Sequence, residues 1–313
     1  MTDLLQGADG WLSGALSACC DERQRAWADT QVAALEGGDV SDERFAQLLS
    51  LASRFAPKRP LGPTPEQCAT AAALLDGWNP ERWSALDAVR VRLILARARA
   101  AAATLPAAIK EAFRYADEGE LCALYRSLQF LPGPERFAWQ AAEGCRSNMM
   151  SVFEANGCDT AYPVAHMDDV AWRQLCMKSI FVNAPLWRVH GLDGRIDADL
   201  ARMALDLFEE RRSAGRAINP ELWMCLGSDP SERALAAIEA EIEGHDELSR
   251  KGAILALGRL GQTERLTEIE RDGGSVFGPT AQWALMGRHD QSAFAAVSIP
   301  EGATPSTRTA PAS

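Results

Sequence analysis

Apolar residues recur along the chain at intervals of three and four, the spacing that lines one face of an α-helix. Alternating runs of the strand type are scarce, and Ala, Leu, Arg and Glu outweigh Val, Ile, Tyr and Thr, which favours helix. Helix starts are marked repeatedly. Ser41-Asp42-Glu43 leads into Phe45, Leu48 and Leu49, and Thr64-Pro65-Glu66 opens a helix to about Leu75. Asn79-Pro80-Glu81 places a proline where a long arginine-rich helix is expected to begin. Further helices are predicted at about 106–115, 118–130, 134–155, 168–182, 197–213 and 219–226. The fold class that follows is all-α, an antiparallel helical array or α-solenoid.

The last third has its own rhythm. Ala256-Leu257 and Ala284-Leu285 sit in similar apolar segments 28 residues apart, and helices are expected after Asp229-Pro230 and from Thr263. Such spacing suggests HEAT-like helical hairpins, the alternative being generic antiparallel helices. The predicted organisation is an N-terminal helical region (1–105), a motif-rich helical core (106–228), HEAT-like hairpins (229–297) and a disordered tail (298–313), where Pro, Thr, Ser and Ala show no periodic face.

Composition narrows the classes. In 313 residues, 43 acids against 32 bases give a net charge of −11, which argues against nucleic acid as partner. Only Lys58, Lys110, Lys178 and Lys251 are lysines. The longest apolar-looking run, Val89 to Leu105, carries Arg90, Arg92, Arg97 and Arg99, so no membrane span is expected. Without interleaved aromatics these arginines read as a solvated face. The chain opens Met-Thr-Asp without a basic, apolar leader, and Leu16-Ser17-Ala18-Cys19, which has the shape of a lipoprotein cleavage site, reads as helix. None of the eight cysteines forms a Cys-x-x-Cys pair, so they are expected to be reduced and packed, in the cytoplasm.

Candidate chemistry concentrates between about 113 and 190. On a continuous helix from Pro134, Glu143 and Arg146 would share a face with Trp139 and Met150, and Asn148 would point some 140° from Glu143. On the helix after Asp168, Gln174 and Lys178 share a face and Trp172 projects roughly opposite. His166 is expected near that helix's positive end. One reading is a cleft with Glu143 or His166 as acid/base and Arg126, Arg146 or Lys178 holding an anion; the other is interhelical ion pairs. His166, Asp168 and Asp169 are too close in sequence for a recognisable ligand set, and neither metal nor cofactor is expected. No dinucleotide, phosphate-loop or nucleophile-elbow signature occurs, and Cys145 after Gly144 reads as packing.

These residues resemble the EboA family of bacterial ebo-type metabolite gene clusters. The resemblance is carried by Asp117-Glu118-Gly119-Glu120, Tyr125-Arg126, Leu131-Pro132-Gly133-Pro134-Glu135 and Ala142-Glu143-Gly144-Cys145-Arg146-Ser147-Asn148. It continues through Phe153-Glu154-Ala155, Tyr162-Pro163, His166, Trp172-Arg173-Gln174 and Lys178, covering about 113–226. Two positions depart from the family pattern: Thr160-Ala161 stands where Asn-Pro is usual, and Arg173 replaces an asparagine. The resemblance implies a gene-cluster context shared with proteins similar to a UbiA-type prenyltransferase, a TatD-like hydrolase, a sugar-phosphate cyclase and an isomerase-like barrel. It implies an accessory role in making or exporting a secondary metabolite, with a cluster protein or a small-molecule intermediate as partner. Two functions follow as expectations. One is a helical scaffold that binds such a partner. The other is a metal-independent enzyme on a cyclitol, sugar-like or prenylated intermediate. For either, the candidate residues are Glu143 and His166, with Arg126, Arg146, Asn148, Trp172, Gln174 and Lys178 for binding.

Overall fold

A computed structural model describes residues 2–38, 40–229 and 231–298. The architecture is all-α; among the described residues no β-strand forms, and one isolated bridge joins Pro60 to Ser84. The chain divides into two compact units, residues 1–172 and 173–313.

In the first unit the helices are α1 (Thr2–Cys19), α2 (Glu22–Glu36), α3 (Asp42–Phe55), α4 (Pro65–Leu74), α5 (Ala85–Ala100), α6 (Leu105–Tyr115), α7 (Glu118–Ser127), α8 (Ala138–Gly144), α9 (Met150–Gly157) and α10 (Tyr162–His166). The unit closes at Trp172, inside α11 (Asp169–Val182). Caps explain most starts. Ser41, Thr64 and Asp117 each accept a hydrogen bond from the backbone N–H three residues on, and at Thr64 and Asp117 the side chain three residues on returns the contact. The lipoprotein-like Leu16–Cys19 is the last turn of α1.

Two expected boundaries move. Asn79-Pro80-Glu81 forms a turn, with Glu81 N–H donating to Asn79 Oδ1 at 3.1 Å and Trp83 N–H to the Pro80 carbonyl at 3.0 Å. The helix starts at Ala85 instead, capped reciprocally by Ser84 and Asp87. The expected helix over 134–155 is broken into a 3-10 turn (Pro134–Phe137), α8 and α9. Between α8 and α9, Arg146 and Ser147 N–H groups fold back onto the Glu143 and Gly144 carbonyls, and Ser147 Oγ accepts from Met149 N–H. Trp139 and Met150 therefore sit on different helices.

The largest correction concerns α5. Helices α1, α2, α3 and α7 pack around it, and Leu93, Ile94 and Leu95 are completely buried. Its arginines are not a solvated face: Arg90, Arg92 and Arg97 are 3%, 5% and 7% exposed. A guanidinium at such a depth must be paired. Arg92 donates to Asp9 of α1 at 2.7 Å and Asp29 of α2 at 2.8 Å, and Arg97 donates to Asp42 of α3 at 2.8 Å. Arg90 donates to the Leu49 carbonyl of α3 at 2.9 Å and lies 3.6 Å from Glu120 of α7. Arg99 reaches Asp9 and Glu36. Burial opposes the charge on Arg92, but Asp9 and Asp29 outweigh it and leave the guanidinium pKa raised. Each surrounding helix thus supplies an oxygen to an α5 arginine, which ties it to α5.

The second unit carries α12 (Ala198–Ser213), 3-10 turns at Leu186–Arg188, Leu192–Gly194 and Pro220–Leu226, then α13 (Glu232–Ile242), α14 (Glu247–Arg259), α15 (Thr263–Asp272), α16 (Gly274–Leu285) and α17 (Gln291–Ser298). Helices α13 and α14 pack as one pair, α15 and α16 as another, and α14 packs on α16. The two Ala-Leu segments lie in α14 and α16, where a Cβ on Gly258 would come within 2.9 Å of Ala284 Cβ. Helices α14 and α17 cover the Pro220–Leu226 turn, and Trp223, Met224 and Cys225 are fully buried. Of the expected tail, Ser298 ends α17, and residues 299–313 lie outside the described residues. Seven of the eight cysteines are buried, Cys68 being the exception.

Candidate functional site

The motif residues of the first unit converge on α8, and most of them hold it from behind. Gly133 adopts the left-handed conformation (φ 65°) that turns the chain between Pro132 and Pro134. Tyr162 Oη then donates to the Pro134 carbonyl at 2.6 Å. Tyr125 Oη of α7 donates to the Gln140 carbonyl at 3.2 Å, and Asn156 Nδ2 of α9 donates to the Ala141 carbonyl at 2.9 Å. Burial raises both phenol pKa values well above the ordinary tyrosine range, so each remains a neutral donor. Asn156 Nδ2 also lies 3.5 Å from Cys145 Sγ, whose own hydrogen bond to Ala141 supports the packing role expected for it. Gly144 is required by this arrangement. A Cβ there would stand 2.6 Å from Asn156 Cγ and 2.8 Å from Tyr125 Cε1. The Asn156 amide cannot reverse without setting its oxygen against the Ala141 carbonyl, so Oδ1 stays buried without a hydrogen-bond donor.

The opposite face of α8 is open. Trp139 is 67% exposed, an unusual setting for the largest apolar side chain. One turn on, the Glu143 and Arg146 side chains, 42% and 59% exposed, form an ion pair. Met149, past the end of the helix, is also exposed. An ion pair this wet contributes at most about 1 kcal/mol to folding.

The other candidates take settings of their own. Arg126 is mostly buried, donates to Asp87 at 2.6 Å and lies with its guanidinium 5.7 Å from the Trp83 ring centroid, so it ties α7 to the capped start of α5. Asn148 is exposed in the turn between α8 and α9. His166 is the last residue of α10, two positions before Asp168, which caps α11, and its ring lies 5.0 Å from that of Tyr162. Burial lowers the His166 pKa, with Glu135 opposing, and the imidazole is neutral at pH 7. Trp172 is buried. In the second unit, Gln174 is exposed and Lys178 partly buried on α11. Arg173 grips Asp197, the N-cap of α12, through Nε and Nη2 at 2.6–3.1 Å. That hydrogen bonding, against a smaller effect of burial, holds the Asp197 carboxyl below the usual range.

Asn156 and the surface role of Trp139 were absent from the sequence-based candidates. A usable signal existed for the first: an asparagine among Phe153, Ala155 and Gly157, just past the expected 134–155 helix, needs an internal partner once those neighbours are buried. Among the described residues no three His, Cys, Asp or Glu side chains gather as a metal site, and no helix is long and apolar enough to cross a membrane.

The sequence profile of a family described as "Metabolite traffic protein EboA" matches residues 8–227. No curated protein and no solved structure matches the chain.

Proposed function

Because the chain belongs to the EboA family, we propose that it serves metabolite traffic as a helical scaffold that binds a partner enzyme or a pathway intermediate, with the outer face of α8 as its contact surface. One observation carries the reading: three buried polar side chains, Tyr125, Asn156 and Tyr162, are spent on fixing the backbone around α8, while Trp139, Glu143 and Arg146 face outward. An exposed tryptophan is a residue type enriched at contact hot spots, and a helix whose backbone is already held by buried hydrogen bonds lowers the entropy cost of association. The paired α13–α14 and α15–α16 helices support HEAT-like stacking as a second binding surface.

The family description supports the traffic role. A purified chain should retain one of the proteins encoded beside it, or the pathway intermediate, and Trp139→Ser should abolish that retention while leaving the fold intact. Retention unchanged by Trp139→Ser removes α8 from the account. The enzyme reading, with Glu143 and His166 as acid and base, draws support only from the neutral His166 imidazole. It requires that Glu143→Gln fold normally and lose pathway product. Glu143 is half-exposed and paired to Arg146, an arrangement closer to a contact residue than to a buried general acid.

A further inference from the structure

We propose that Glu241 makes the docking of the α13–α14 hairpin on the Pro220–Leu226 turn depend on a proton. The turn lies within the family match and the hairpin beyond it. Their joint leaves no slack. Helix α14 packs on the turn at Gly252, where a Cβ would collide with the Pro220 carbonyl oxygen and the Trp223 ring. Polar atoms sealed into this joint form one hydrogen-bonded chain. Trp223 Nε1–H donates to Ser249 Oγ at 3.3 Å, and both residues are completely buried. The backbone N–H of Ser249 goes to its cap, Asp246, at 2.7 Å. The Ser249 hydroxyl has a single proton to give, and gives it to the Glu241 carboxyl of α13. Glu241, only 7% exposed, is the terminal acceptor.

A carboxylate at that depth is ordinarily matched by a cation. Among the described residues Glu241 has no ion pair. Arg250 of α14 and Arg212 of α12 act on it, yet each guanidinium lies over a ring instead, 4.0 Å from the Phe277 centroid and 5.7 Å from that of Phe208. Asp246, at the start of α14, sets a like charge against it. Burial raises the Glu241 pKa and Asp246 adds to this, against the Ser249 hydrogen bond and the two arginines. Because the folded pKa lies above the unfolded one, the contribution of Glu241 is fully present below the usual carboxylate pKa. It is lost as pH rises through the raised value. Asp197, gripped by Arg173, has the opposite dependence. Loss of the proton thus loosens the hairpin from the turn.

Native-state hydrogen exchange of the full-length chain tests the joint, read by mass spectrometry from about pH 5 to about pH 8 and corrected for the intrinsic exchange rate. Glu241→Gln keeps the shape and removes the charge. At the upper end it should slow exchange in α13, α14 and the turn by at least about threefold relative to wild type. The difference should shrink as pH falls toward the usual carboxylate pKa. Ser249→Ala removes the carboxylate's donor, so its loss of protection should be greater at the upper end than at the lower. A gap between Glu241→Gln and wild type that stays constant with pH, or widens as pH falls, would overturn the proposal. So would a Glu241→Gln chain that fails to fold, because a neutral side chain of that shape suits the joint. An equal loss in Ser249→Ala at both ends would overturn it as well.

Discussion

Arginine does opposite work in two regions of the first unit. Around α5, Arg90, Arg92 and Arg97 are buried, and their oxygen partners come from α1, α2, α3 and α7. Just past the end of α8, the motif arginine Arg146 is exposed and pairs three residues back, with Glu143. The first set is spent on the fold: removing one partner would leave another charge stranded in a low-dielectric core. The second adds little to stability and remains available for contact. A family motif rich in charge is therefore not by itself a site; depth and partner decide.

The sharpest way to break this contrast is to remove one arginine from each region. Arg92→Ala should cost about 2–5 kcal/mol in chemical denaturation, since it empties a buried site, cuts the tie between α1 and α2 and leaves Asp9 to Arg99. Arg146→Ala should cost less than about 1 kcal/mol. Equal losses would remove the distinction.

Next in size is Gly144→Ala, which drives a methyl group into Asn156 and Tyr125 and should destabilise by about 1–3 kcal/mol. Tyr125→Phe, which removes only the bond to the Gln140 carbonyl, should cost about 1 kcal/mol by the same measurement. If both changes proved silent, α8 would not be clamped.

An intermediate case lies at Arg173, a partly exposed pair with Asp197. Because the folded-state pKa of Asp197 is depressed, its contribution is present above the usual carboxylate pKa and is lost as pH falls through the depressed value. Arg173→Asn should lower the denaturation midpoint at neutral pH, and the difference should shrink as the carboxylate is protonated.

The sequence revealed the helical class and many of the caps, because capping residues lie within four positions of the groups they satisfy: Ser41, Thr64 and Asp117 are examples. It hid whatever depended on distant chain. The partners of Arg92 lie 83 and 63 residues away, so nothing local distinguishes a buried arginine row from a solvated one. The break after Gly144 was hidden for a related reason. Apolar spacing continues across it, while the fold is decided by Asn156 turning back to the Ala141 carbonyl. Of the candidate site, the Glu143–Arg146 pair was legible from helical spacing. The stripe expected for Trp139 survives only as far as Glu143, and whether it met core or solvent depended on which face Tyr125 and Asn156 occupy.

The smallest effect on folding is also the most informative for function. Trp139→Ser should leave the free energy of unfolding within about 0.5 kcal/mol of wild type, as expected for an exposed position. The decisive measurement is quantitative retention of the co-encoded proteins, and of the purified intermediate, by wild type and by this variant at matched concentration. The account predicts retention by the wild type and its loss in Trp139→Ser at unchanged stability. Equal retention by the two chains would contradict it.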